Sequence, residues 1–156
     1  MPAEHVARAV QRLRIYPLKG ARAVDLTTMA FDEKGPVGDR RWMVVREDGL
    51  FVSQRESAGL AEVDASITAG ALSLNSPRAG TLTVAEPHAG AGMVVQIWTS
   101  TLEVRAAGPE ADAWVSEALA GSYRLVYMAP EDRRDANPDY APGQRCPLWM
   151  GIRPWW

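Results

Sequence analysis

The chain has 156 residues, 47% apolar and 23% charged, with a net charge of −2, which fits one folded domain with a single core and gives no electrostatic case for nucleic acid or an anionic membrane. One cysteine, Cys146, and two histidines, His5 and His88, exclude an internal disulfide and a zinc framework. No apolar run reaches the roughly 18 residues of a membrane span, and the opening MPAEHVARAVQR lacks a secretory apolar stretch, so the expected location is the cytoplasm.

In chain order, Val10, Leu13, Ile15 and Leu18 within VQRLRIYPLKG give a half-buried strand pattern that ends at Pro17 and Gly20. Val24 and Leu26, with Met29 and Phe31 as possible continuations, suggest a second strand closed by the turn-rich DEKGPVGDR. WMVVRE, Asp48-Gly49 and LFVSQ form the clearest local signal, because an Asp-Gly pair between β-rich runs supplies the positive φ angles of a tight hairpin. LAEVDASIT alternates through Leu60, Val63, Ala65 and Ile67. Ala69-Gly70 turns it into ALSLNS, and Ser76-Pro77 with Ala79-Gly80 turns that into TLTVAE. GMVVQIW follows the AGAG loop, with LEVRAA as its candidate partner.

One segment breaks the strand pattern. In GPEADAWVSEALAG, the residues Ala111, Trp114, Val115 and Ala118 share one helical face. Pro109 suits the first turn, Glu110 and Asp112 favour the positive end, and Gly121 suits the stop. YRLVYM reads as a closing strand. The expected fold is mainly β: an antiparallel β-barrel with one principal α-helix at about 109–120, since closure removes exposed strand edges. The barrel is expected over 1–130. Residues 131–156, opening with the polar, proline-rich EDRRDANPDYAPGQ, read as a linker and a disordered tail.

No catalytic constellation and no metal site stand out. His88 lies in the loop EPHAGAG and reads as solvated; the acidic residues Glu131, Asp132, Asp135 and Asp139 are irregularly spaced and interrupted by Arg133 and Arg134. Three basic positions at strand ends are the candidate binding residues, because barrels usually place sites on such loops. Lys19 precedes Gly20 and is either a surface lysine or an ammonium aimed from a rim at an anion. Arg40 and Arg41 open the WMVV strand, where alternation sends them to opposite faces, one inward and the other to the surface or onto a tryptophan. Asp39 can pair with either. Arg55 ends the second leg of the hairpin, again at a rim.

LRIYPLKG, GDRRWMVVREDGLFVSQRE, QIW, and the helix WVSEALA followed by YRLVYM together resemble the MOSC N-terminal β-barrel domain over about residues 10–128, and NPDYAP continues the likeness. The resemblance implies a barrel that precedes a MOSC domain, whose cysteine binds the metal of a molybdenum–pterin cofactor. Relatives so implied are amidoxime- and hydroxylamine-type reductases and molybdenum-cofactor sulfurases. The barrel's implied task is to cover the cofactor and contact its phosphate end. Carried over residue by residue, the lysine of YPxK falls on Lys19 and the arginine of DRxW on Arg40. The serine that often follows that lysine is Gly20 here, which removes one hydroxyl donor. Ammonium and guanidinium groups suit a phosphate dianion, since both are charge-assisted donors.

The tail departs from this resemblance. After NPDYAPGQ the family continues with a stretch like VSFADGYPLLL, whereas this chain reads RCPLWMGIRPWW and holds three of its six tryptophans in the last eight residues. Read one base earlier, Trp149-Met150-Gly151 yields Asp-Gly and Trp155-Trp156 yields Val, so the shifted peptide can spell VSxxDGYPxLV. The expectation is a frameshifted tail and a lost MOSC domain, with a genuine variant C-terminus as the alternative. On that reading Cys146 is not a metal ligand, and the chain by itself is a non-catalytic, truncated half without a bound cofactor. A MOSC domain supplied in trans would be its partner, and the chain alone is expected to be a monomer. The alternatives are a module that binds a small anion or a partner domain through Lys19, Arg40 and Arg55, and a folded remnant with no retained function.

Overall fold

In the computed structural model of the chain, residues 9–89 and 91–134 are described. Strands β1 (Leu13–Ile15) and β2 (Val24–Leu26) pair antiparallel, and β3 (Phe31–Asp32) and β4 (Gly35–Pro36) form a two-rung hairpin. After β5 (Trp42–Arg46) comes a meander of β6 (Asp64–Thr68), β7 (Ala71–Ser76) and β8 (Gly80–Ala85). Strands β9 (Gly92–Ile97), β10 (Ser100–Ala106) and β11 (Tyr123–Tyr127) join β5 in the order β5-β11-β10-β9. Helix α1 (Pro109–Leu119) links β10 to β11.

The expectation of a mainly β chain with one principal helix is met. The expected barrel is not: among the described residues none of the four sheets closes on itself. The edges meet instead through single bridges, Leu18 with Trp42 and Leu50 with Gln96. Local chemistry explains the breaks. Pro17 has no N–H to donate, and Gly49 at φ 84° ends the β5 run in a turn. Past that turn Leu50–Val52 lies between two strands, with Val52 N donating to Val44 O (2.9 Å) and Phe51 N to Gln96 O (3.2 Å).

Strand β5 explains why the run WMVV is continuously apolar rather than alternating. Its two faces serve two cores, so both are buried. Trp42 and Val44 join Leu125, Tyr127, the meander residues Leu72, Leu74 and Val84, and the apolar face of α1. Met43 and Val45 face the other way, onto Phe51, Val95, Ile97, Val104, Val126 and Met128. The helix face is the one its spacing predicts: Ala111, Trp114, Val115 and Ala118 are all buried. Side chains tie it to β11, with Leu125 N donating to Asp112 Oδ1 (2.9 Å) and Tyr123 N to Ser116 Oγ (3.0 Å).

Three local expectations need correction. Leu60 is not on a strand but in a 3₁₀ turn (Ala58–Glu62), where Leu60 N donates to Ser57 O (3.2 Å); β6 starts only at Asp64. Of the Asp48-Gly49 pair only Gly49 takes positive φ. Gly49 N donates to Arg46 O (2.9 Å), the form of hairpin in which one left-handed glycine follows a common turn. The helix stops at a left-handed Ala120 (φ 55°) rather than at Gly121, whose N–H instead donates to Ser116 O (3.0 Å).

Candidate functional site

The segment from Tyr16 to Lys19 runs beside the residues that lead into β5. Arg40 N donates to Tyr16 O (2.7 Å), Trp42 N to Pro17 O (3.1 Å) and Lys19 N to Trp42 O (2.9 Å). This pairing brings Lys19 and Arg40, distant in sequence, to one end of the fold. Lys19 Nζ lies 4.6 Å from the centre of the Phe51 ring, a cation–π geometry. Burial, and then the charges of Arg40 and Arg134, lower its ammonium from 10.5 to about 8. Three cations therefore act on one another at this rim.

Arg40 does not open a strand, as alternation implies. It sits in the turn before β5 with φ 47°, a conformation that costs any residue with a Cβ. Its guanidinium stacks 4.4 Å over the Tyr16 ring, not on a tryptophan, and NH1 donates to Asp39 Oδ2. Asp39 is the member of the pair that is buried: its side chain is 3% exposed against 22% for Arg40. The other oxygen of Asp39 accepts from Tyr16 N (2.7 Å).

Arg41 is buried, 8% exposed, and its NH2 donates to both oxygens of Asp32 (2.8 and 2.7 Å). Arg55 is exposed in the turn after Val52 and is not among the charges acting on Lys19. Its neighbour Gln54 donates to Gly20 O (2.6 Å), so that turn borders the same rim.

Two further buried cations were not legible in the sequence, and one of them, Arg134, acts on Lys19. Lys34 is buried, and its Nζ donates to Ala129 O (2.6 Å) across 95 positions of chain. Arg134 is buried as well. It falls where composition suggests a linker, but Ala129 N donates to Asp132 Oδ2 (2.7 Å), which folds residues 129–132 back on themselves. The only sequence signal was the basic pair Arg133-Arg134, and nothing in it encodes burial.

The rim is thus a set of guanidinium and ammonium donors suited to a compact anion. Among the described residues no three His, Cys, Asp or Glu side chains gather into a metal-binding group; Cys146 and the terminal tryptophans lie outside the described residues. His88 is exposed. An open groove of about 350 Å³ lies elsewhere, between β2 and the meander, where Arg22 pairs with Asp64 (3.1 Å). No helix among the described residues is long and apolar enough to cross a membrane.

The described residues thus form a mainly β domain with one helix, with the cations Lys19, Arg40 and Arg134 acting together beside the start of β5. Residues 7–122 match the MOSC N-terminal beta barrel domain, and the chain belongs to that family. It is 28% identical over 147 residues to a molybdenum cofactor sulfurase of Danio rerio, covering 90% of this chain and 17% of the sulfurase. It is 27% identical over 133 residues to mitochondrial amidoxime-reducing component 1 of Xenopus laevis, covering 80% of this chain and 39% of that protein. The chain therefore spans well under half the length of these relatives. The solution structure of a Bordetella bronchiseptica protein shares the fold, with a TM-score of 0.54 at 22% identity over 74% of this chain and 99% of the other.

Proposed function

We propose that this chain is the cofactor-covering half of a molybdenum-cofactor protein and that it holds the phosphate end of the cofactor at the Lys19–Arg40 rim. One observation carries the reading: backbone pairing between Tyr16–Lys19 and Arg40–Trp42 brings two cations together at one end of the fold. The loosened proton of Lys19 is consistent with it: burial first, and then the like charges of Arg40 and Arg134, disfavour the ammonium, and an anion placed among them would offset both. The residues fit that part of the group. Lys19 offers a point charge and Arg40 a planar fork, the two donor types that hold phosphate. Arg55, on the bordering turn, adds long-range attraction. When bound, the cofactor would supply the redox or sulfur-transfer chemistry in a neighbouring MOSC domain. This chain's residues bind and orient, and none of them is assigned a chemical step.

The test is a titration of the 156-residue chain with inorganic phosphate and with a pterin monophosphate, followed by NMR. Saturable shifts at Lys19 and Arg40, lost in Lys19→Ala with the fold intact, are the expected result. Absence of any shift at millimolar ligand overturns the reading and leaves a folded domain without this binding function.

A further inference from the structure

The least ordinary feature of the rim is the way Arg40 is held. Four observations converge on it. Its backbone is left-handed at φ 47°, and its N–H donates to Tyr16 O at 2.7 Å. Its guanidinium carbon lies over the Tyr16 ring, 4.4 Å from the ring centre. Asp39, almost wholly buried, takes the Arg40 guanidinium on one oxygen and the Tyr16 N–H on the other. Carboxylate, ring and guanidinium meet in one cluster made from two chain segments. A surface arginine would ordinarily keep its rotamer freedom and a hydrated head. This one is partly buried, ion-paired and set over a ring, and it carries backbone strain as well.

We infer that Asp39 is a positioning residue: it clamps the Arg40 guanidinium on Tyr16, so that the rim presents a fixed, preformed fork to an oxyanion. This rests on the reading of the rim as an anion site, and it adds a claim that simple electrostatics contradicts. Asp39 is a negative charge beside a site for anions. If it were a bystander, removing its charge would make the rim more positive and tighten anion binding. If it positions Arg40, removing its charge frees the fork, and binding weakens although the rim has become more positive. The sign of one affinity change separates the two.

The experiment uses the full chain, inorganic phosphate as probe, and three proteins. In Asp39→Asn the side-chain oxygen can still accept from Tyr16 N, but the amide presents no charge to Arg40. In Arg40→Gly the left-handed position is filled by the residue that adopts it without strain. Phosphate affinity is read by NMR, melting temperature is read in parallel, and the order of the Arg40 Nε–H is read by ¹⁵N relaxation. Positioning predicts that Asp39→Asn weakens phosphate binding by roughly tenfold, the scale of one charge-assisted hydrogen bond, and makes the Arg40 Nε–H mobile. It predicts that Arg40→Gly loses at least as much affinity, with a lower melting temperature because the buried Asp39 carboxylate is left without its guanidinium. If Asp39→Asn binds phosphate equally or more tightly, or leaves the guanidinium ordered, the inference fails and the anion site stands. If wild type binds no phosphate at all, the reading of the rim falls and takes the inference with it. Should Asp39→Asn fail to fold, Tyr16→Leu removes the platform and leaves the carboxylate in place. The same loss of affinity and order is then expected, and its absence overturns the inference.

Discussion

In the meander β6-β7-β8 burial follows the alternation of the sequence: Leu72, Leu74 and Val84 are buried, and Ser73, Thr81 and Thr83 face outward or lie at the margin. In the stretch from Tyr16 to Arg41 the reverse holds. Strands there are two or three residues long, Lys34, Asp39 and Arg41 are buried, and Arg40 is left-handed. The first region is stabilised by apolar burial along a regular ladder. The second is held by charged pairs and single backbone bonds that cost desolvation and strain. Such a region persists because the surrounding cores over-determine it, and it concentrates the groups a ligand would meet.

The contrast predicts where substitutions hurt most. Leu72 is fully buried in the larger core, opposite Ile67 on β6 and Val84 on β8. Leu72→Ala should cost about 2–5 kcal/mol, transfer plus cavity, and urea unfolding should show a lower midpoint at unchanged slope. A loss under ~1 kcal/mol would mean that the meander is not the regular, tightly packed half described above. The seam comes next. At Gly49 an added Cβ would meet the backbone oxygen of Val94, and φ is 84°. Because neither backbone can yield cheaply, Gly49→Ala should cost roughly 2–3 kcal/mol and selectively broaden NMR signals along β9.

Apolar substitution in the rim should act in the opposite direction. Burial and like charges lower Lys19 from 10.5 to about 8. The unfolded chain therefore binds more protons than the folded one between those values, so this residue's contribution to stability rises as pH rises from about 8 to 10.5. Lys19→Met removes the buried charge and should stabilise the chain at pH 7 by on the order of 1–3 kcal/mol. The gain should fade above the unfolded value, and thermal melts at the two extremes give the comparison. In wild type, sulfate binding should weaken as pH passes about 8, because the ammonium that attracts it is discharged there. A pH-independent affinity would remove Lys19 from the site.

How much of this was legible follows from range. The helix face Ala111, Trp114, Val115 and Ala118 repeats at one turn's spacing, and the meander alternates between glycine turns, so both could be read from a dozen neighbouring letters. Leu60 misled because alternation alone does not distinguish a strand from a short turn that buries one leucine. The candidates Lys19 and Arg40 could be found from strand ends and from family likeness. The Tyr16 N–H on Asp39, the Lys34 bond to Ala129 and the burial of Arg134 could not. Each depends on a contact between segments far apart in the chain, and a charged letter carries no mark of whether its partner will exclude water.

The smallest effect tests the comparison most directly, because strain of the same kind occurs in both regions. Ala69 at φ 51° and Arg40 at φ 47° are both residues with a Cβ held left-handed. Ala69 and Gly70 form the two-residue turn from β6 to β7, with Thr68 opposite Ala71 and both central residues at positive φ. That turn prefers asparagine at its first position, where a short polar side chain tolerates the left-handed region. Ala69→Asn should therefore stabilise the chain by a fraction of a kcal/mol to about 1 kcal/mol, leaving phosphate binding unchanged. Glycine at Arg40 relieves the same backbone strain but strands the buried Asp39 carboxylate, so a net loss in melting temperature and a loss of binding are expected there. If both substitutions stabilise and neither touches affinity, strain at Arg40 is as incidental as strain at Ala69. If only the Arg40 substitution costs affinity, the strain there is kept for the fork it aims.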